Sequence, residues 1–271
     1  MTQMRGWLVC LIMVWTGVVA AEPGRDSGQQ PVHSTGHLVQ ETVNDAKDYV
    51  LAPLHWDRGN WLFLGSAIAA TAAAHTYDRD VHNHFLDSQN ASGAHNSEDL
   101  KDATLPLVAL IGTAAYAGLT RDRWGHRETW SMLEAAGLGG VTSYALKFAT
   151  GRQRPAETLD VNAWREGGSA FPSMHVTAAF AIGGVLAESG NDEYRWVRRV
   201  LGYGIGAATA YQRIKHDAHW LSDTVAGAAV GLASAQFVVH RRDSQEGEQR
   251  PGSLLLMPVD GGLALNYHRS F

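Results

Sequence analysis

Seven polar side chains fall into three short groups along this chain. Lys147 stands seven positions before Arg154, which precedes Pro155; Ser173 and His175 follow Pro172; Arg213, His219 and Asp223 close the series. Three cations, two imidazoles, a hydroxyl and a carboxylate can hold a phosphate and break its ester without a metal, because phosphoryl transfer is mostly positioning and charge stabilisation. Arginine grips phosphate through a planar fork, and lysine acts as a point charge. Seven positions are nearly two helical turns, so Lys147 and Arg154 can share a face. Pro155 disfavours helix at Arg154, where the helix is expected to end. Taken singly, each cation would read as a solvated charge complementing a helix C-terminus.

Ser173 is a good N-cap for the apolar stretch Val176 to Ala187, leaving first-turn N–H groups, that of Met174 among them, to meet an anion. His175 enters that stretch as a polar intruder. Asp217 is expected to cap a helix beginning near Ala218, with His219 in its first turn. His219 and Asp223, four apart, then share a face, and the carboxylate can fix the imidazole tautomer and leave the other nitrogen free to attack. Arg152 lies beside these groups and reads as a rim charge.

In this order and spacing the set resembles the signature of the type 2 phosphatidic acid phosphatase and vanadium haloperoxidase superfamily, over roughly residues 140 to 230. The resemblance implies a metal-independent phosphatase. His219 would form a phosphohistidine, Asp223 would orient it, and His175 would protonate the leaving group and then assist water. Lys147, Arg154, Arg213, Ser173 and the Met174 N–H would bind the phosphoryl oxygens; the family usually has glycine where this chain has Met174. No cofactor is implied. Lipid phosphates are the favoured substrates, with a soluble acid phosphatase, a vanadate-dependent haloperoxidase and a non-catalytic envelope protein as alternatives. A neutral His219 working with a protonated His175 implies a bell-shaped pH profile with its optimum on the acidic side of neutrality.

The elements that must position these groups read as helices. Stretches near 61–76, 103–119, 129–149, 174–188, 196–211 and 218–240 are rich in Ala and Gly, giving an all-α bundle of about six core helices whose small residues permit close approach. Gly59 to Tyr77 and Ala103 to Thr120 are uncharged and nearly long enough to span a membrane, yet carry little Leu, Ile or Phe. A mean hydropathy of -0.17 favours a soluble or membrane-surface protein. The formal net charge of -5 argues against nucleic acid.

Residues 1–21 resemble a signal peptide, with Arg5 before the apolar run Trp7 to Val19 and small residues ahead of Glu22. The single cysteine, Cys10, falls inside it, as suits export to the periplasm or the periplasmic face of an envelope membrane. Residues 22–60 read as a leader with a short amphipathic helix at Asp45 to Leu54, interrupted by Pro53, and 61–240 as the catalytic domain. Residues 241–271 read as a tail with a hairpin turning at Asp260-Gly261-Gly262. His75, Asp78, Asp80, His82 and His84 lack a metal-binding spacing and read as a polar helix end and loop. Trp164, Phe171 and Trp220 are candidates either to receive a lipid chain or to fill the core.

Overall fold

A computed structural model describes residues 35–92, 104–120, 123–189, 194–246, 253–259 and 262–268. The predicted signal segment lies outside them. The chain divides into two units, residues 1–40 and 41–271. Of the first, residues 35–40 are described, as the opening of helix α1 (Thr35–Leu51). The second unit carries the rest of α1, a 3-10 turn at Ala52–His55, and seven further helices. These are α2 (Arg58–Thr76), α3 (Asp78–Ser92), α4 (Thr104–Thr120), α5 (Arg123–Thr150), α6 (Met174–Glu188), α7 (Arg195–Lys215) and α8 (Leu221–Glu246).

Local chemistry sets several of these boundaries. The Asp57 carboxylate accepts the Asn60 N–H at 2.8 Å, a side-chain cap that starts α2. Gly151, at φ +54°, closes α5, its N–H donating to the Lys147 carbonyl at 2.9 Å. The helix therefore ends at Thr150, five positions before Pro155, and Arg154 sits in the following loop rather than at the terminus. Pro53 lies in the 3-10 turn just after α1 instead of interrupting a helix.

Helix α6 is the hub, packed by α5, α7 and α8. Its buried Ala181, Ile182 and Val185 meet Met132 and Ala135 of α5, Leu110 of α4, and Ala235 and Val238 of α8. The expected close approach is most acute where α6 crosses α7. A Cβ on Gly183 or on Gly202 would fall 2.1 Å from the other residue's carbonyl oxygen, so neither position admits even alanine without moving a helix.

All six predicted core helices are present. Two features differ. The polar stretch from Asp78 is helical (α3) rather than a loop, and α1 begins ten residues before its expected start. The described fold is all-helical, and the predicted C-terminal hairpin gains no support as part of it. The backbone runs antiparallel at Ser253–Val259 and Gly262–His268, with Leu256 opposite Leu265, while its turn residues Asp260 and Gly261 lie outside the described residues.

Far from the predicted site, α1, α5 and α8 are tied by charge. Arg241 donates to Asp45 at 2.9 Å and pairs with Asp48 at 2.5 Å; Arg242 pairs with Glu134 at 2.5 Å and Asp45 at 3.6 Å. Burial pushes the Glu134 carboxyl up to about 7; Arg242 opposes this and Asp45 adds to it.

Candidate functional site

The three sequence groups lie at the end of α5, the start of α6 and the junction of α7 with α8. Lys147, in the last turn of α5, donates to the carbonyls of Ser169 at 2.5 Å and Ala170 at 3.3 Å. Arg154 leans on the same loop, reaching the Ser169 hydroxyl at 3.4 Å. Arg213, buried in the last turn of α7, joins them: Lys147, Arg213 and Arg154 all act on the His219 ring. Ser173 N–H donates to the Asp223 carbonyl at 2.9 Å, so the start of α6 abuts the start of α8. Ser173, Arg213, His219 and Asp223 are buried, whereas Lys147, Arg154, Met174 and His175 are half-buried around them.

Electrostatics follow from that crowding. Burial drives the His219 imidazole well below its ordinary range, and Lys147, Arg213 and Arg154 drive it further; the Ala170 carbonyl, accepting a hydrogen bond from the ring, pulls the other way. The ring is therefore neutral at neutral pH, the form a nucleophile needs. Burial also lowers Lys147, with Arg154 and Arg213 adding to the effect and Asp223 opposing it, to about 7. Burial raises the Asp223 carboxyl, against the pull of Arg152.

Two expectations need correction. Helix α8 begins at Leu221, not Ala218, so His219 precedes it and Asp223 occupies its first turn. There the Asp223 Oδ2 accepts the Trp220 N–H at 2.9 Å, closing the helix start from within. Asp217 is no cap: it adopts φ +57°, a left-handed geometry uncommon for a non-glycine residue, and its carboxylate meets His82 Nδ1 at 2.8 Å. Consequently His219 Nδ1 stands 3.6 Å from Asp223 Oδ2, beyond hydrogen-bond length. Catalytic hydrogen bonds commonly tighten only when substrate is in place. Ser173 does occupy the residue before α6, but its hydroxyl makes no capping bond, and this buried oxygen has no hydrogen-bond partner among the described residues.

The residue that sequence reasoning misplaced is Arg152. It is fully buried rather than at the rim, and its guanidinium donates to Asp223 Oδ1 at 2.6 Å, the Ser222 hydroxyl at 2.8 Å, Asp78 Oδ2 at 2.7 Å and the Val161 carbonyl at 2.7 Å. It lies 4.4 Å from the Trp164 ring and 5.4 Å from that of Trp220. Trp220 is itself buried, its indole N–H donating to the Gln153 carbonyl at 3.0 Å. It is thus core, not a lipid receptor. Asp78 and His75 serve this network, with His75 Nδ1 2.8 Å from Asp78 Oδ2. The only sequence cue was Asp78 opening a helix, and nothing in the chain pointed to its partner 74 positions away.

The stretch that carries this cluster, residues 128–245, matches the family model of the PAP2 superfamily, the type 2 phosphatidic acid phosphatases. Among curated proteins the chain is similar to a lipid A 1-phosphatase of Porphyromonas gingivalis, 28% identical over 158 residues. That match covers 58% of this chain and 33% of the relative, so the chain spans about a third of the relative's length. No solved structure matches the chain.

Proposed function

We propose that this protein is a metal-independent phosphoric ester hydrolase acting on lipid phosphates through a phosphohistidine. The observation that carries the reading is the buried, neutral His219 held under three cations. A neutral ring nitrogen attacks phosphorus; a P–N bond forms as the ester P–O bond breaks. His175 gives its proton to the leaving oxygen, then takes one from the water that attacks the phosphohistidine, releasing inorganic phosphate and restoring His219. Asp223 balances the charge that develops on the imidazole. Lys147, Arg154, Arg213, the Ser173 hydroxyl and the Met174 N–H hold the phosphoryl oxygens.

A lipid substrate is supported by the outer surface and by the similarity to a lipid A phosphatase. Val141, Tyr144 and Phe148 line one exposed stripe of α5, and Val108, Ile111 and Leu119 stand exposed on α4. Apolar faces of this extent suit contact with a membrane surface. One described helix segment, Leu221–Arg242, is long and apolar enough to cross a bilayer, yet half of it is buried inside the bundle and it carries Asp223. We therefore place the enzyme at the surface of an envelope membrane, reached by export.

The test is phosphate release in EDTA by the wild type and by His219→Ala, on a soluble aryl phosphate and on several lipid phosphates in detergent. Release that survives chelation and falls at least ~10³-fold in the variant is expected, with lipid esters preferred. Activity that required added metal, or persisted in the variant, would overturn the mechanism; preference for the aryl ester would point to a soluble acid phosphatase.

A further inference from the structure

Arg152 and Asp78 are buried charges that the mechanism above does not use. Arg152 bridges two carboxylates, Asp223 at 2.6 Å and Asp78 at 2.7 Å, and all three side chains are fully shielded from solvent. The bridge is braced throughout. The Ser222 hydroxyl lies 2.8 Å from Arg152 and donates to Asp78 Oδ2 at 2.7 Å, and the Ser222 N–H donates to Asp78 Oδ1 at 2.8 Å. Trp164 and Trp220 lie beside the guanidinium. Among the described residues, the Asp223 carboxylate is hydrogen-bonded by the Trp220 N–H and by Arg152, and the Arg152 anchor runs on to α3.

Such a chain does two things for the histidine. It fixes the Asp223 carboxylate with Oδ1 committed to Arg152, so that Oδ2 is the oxygen turned to His219. It also keeps the local charge balanced, because a second carboxylate offsets most of the guanidinium that Asp223 alone would otherwise neutralise. We propose that Asp78 and Arg152 are positioning residues for the phosphatase reaction, setting the orientation of Asp223 and the charge felt by His219 from a helix outside the three sequence groups. The inference rests on the phosphatase reading. It predicts a signature that mere structural support would not give.

The groups that face His219 are Lys147 from α5, Arg154 from the following loop, Arg213 from α7 and Asp223 from α8, with Arg152, Asp78 and His75 behind Asp223 and the Asp217–His82 pair beside it. The acid limb of kcat/KM reports His219 giving up its proton. Asp78→Asn removes one negative charge and keeps an oxygen acceptor, so the limb moves to lower pH. Arg152→Gln removes one positive charge, so it moves to higher pH. Each shift is expected to be roughly half a unit or more, the effect of one charge a few ångströms away in a protein interior. The double variant Asp78→Asn/Arg152→Gln restores the sum of charges and returns the limb toward its original position.

Each single variant should also lower kcat about tenfold with KM little changed, since neither residue touches substrate. Thermal unfolding run in parallel identifies a variant that fails to fold. If Arg152→Gln does so, Asp78→Asn and the double variant still decide. Unmoved acid limbs, or kcat losses that merely follow loss of folded protein, would overturn the assignment. A wild type that releases phosphate from no ester would instead sink the reading on which it rests.

Discussion

Helix α8 joins two charged regions of opposite character. Its first turn carries Asp223 among Lys147, Arg152, Arg154 and Arg213. Its far end carries Arg241 and Arg242 among Asp45, Asp48 and Glu134, about 28 Å away along the axis. Near Asp223 the cations are in excess, and His219 and Lys147 are both depressed, chiefly by burial and further by those cations. At the far end the carboxylates are in excess, and Glu134 is raised, again chiefly by burial and further by Asp45. Burial disfavours whichever charge is present, so the sign of the surplus decides which proton is affected. A positive surplus beside a neutral imidazole suits an anionic substrate. The negative surplus at the far end ties α1 to α5 and α8 through ion pairs.

The two ends should therefore move stability in opposite directions as pH changes. Near the site, the depressed His219 contributes stability that is present above about 6.5 and lost as pH falls. Lys147 acts in the same sense, its buried charge relieved as pH rises from about 7 toward 10.5. At the far end, the raised Glu134 contributes stability that is fully present below 4.5 and lost as pH rises through about 7.

Three substitutions sharpen or break this contrast. The largest effect is expected for Arg152→Leu, which strands Asp78 and Asp223 as buried carboxylates and should cost about 3–5 kcal/mol. Denaturant midpoints measure it, and a cost no larger than that of a surface change would mean the bridge is not the anchor of this end. Lys147→Arg comes next. Burial lowers Lys147 to about 7, so its loss of charge is expected to add to that of the general acid His175 in shaping the alkaline limb of kcat/KM. An arginine keeps its charge, so the limb should move upward even if the rate at pH 6 falls up to about tenfold. A limb that stays put would show that another group sets it. The smallest effect belongs to Glu134→Gln. Stability of the wild type should fall relative to the variant between pH 5 and pH 8, by on the order of 1 kcal/mol, with phosphate release unchanged. Parallel stability curves for the two proteins would remove Glu134 as the titrating group.

Much of this was written in the chain in legible form. The ranges of the six predicted core helices were clear from long Ala- and Gly-rich runs, and the order of Lys147, Arg154, Ser173, His175, Arg213, His219 and Asp223 marked the proposed phosphate site because so many chemical groups stand together at short spacings. What escaped was long-range pairing. Arg152 stands two positions from Arg154 and looks equally solvated in sequence, yet Gly151 turns the chain so that Arg152 goes inward while Arg154 stays at the mouth. Helix α3 was obscured by charged and imidazole residues. Asp78 and His82 are buried only because Arg152 and Asp217 meet them from distant segments. The start of α8 was misjudged because Asp217 resembles a cap, while the bond that closes the helix comes from Asp223 three residues after the backbone it serves.

Arg152 also sets the smallest piece of this protein that can be cut out whole. The superfamily match begins at residue 128, and every residue assigned to hold or attack phosphate lies within it, but the guanidinium's second carboxylate belongs to α3, some fifty positions upstream. A fragment trimmed to the match would keep all of its reacting groups and lose the counter-ion behind them, leaving one more uncompensated cation where the site already has a surplus. The unit that can be inherited, swapped or engineered as one module is therefore larger than the unit that can be recognised, and its boundary lies ahead of Asp78.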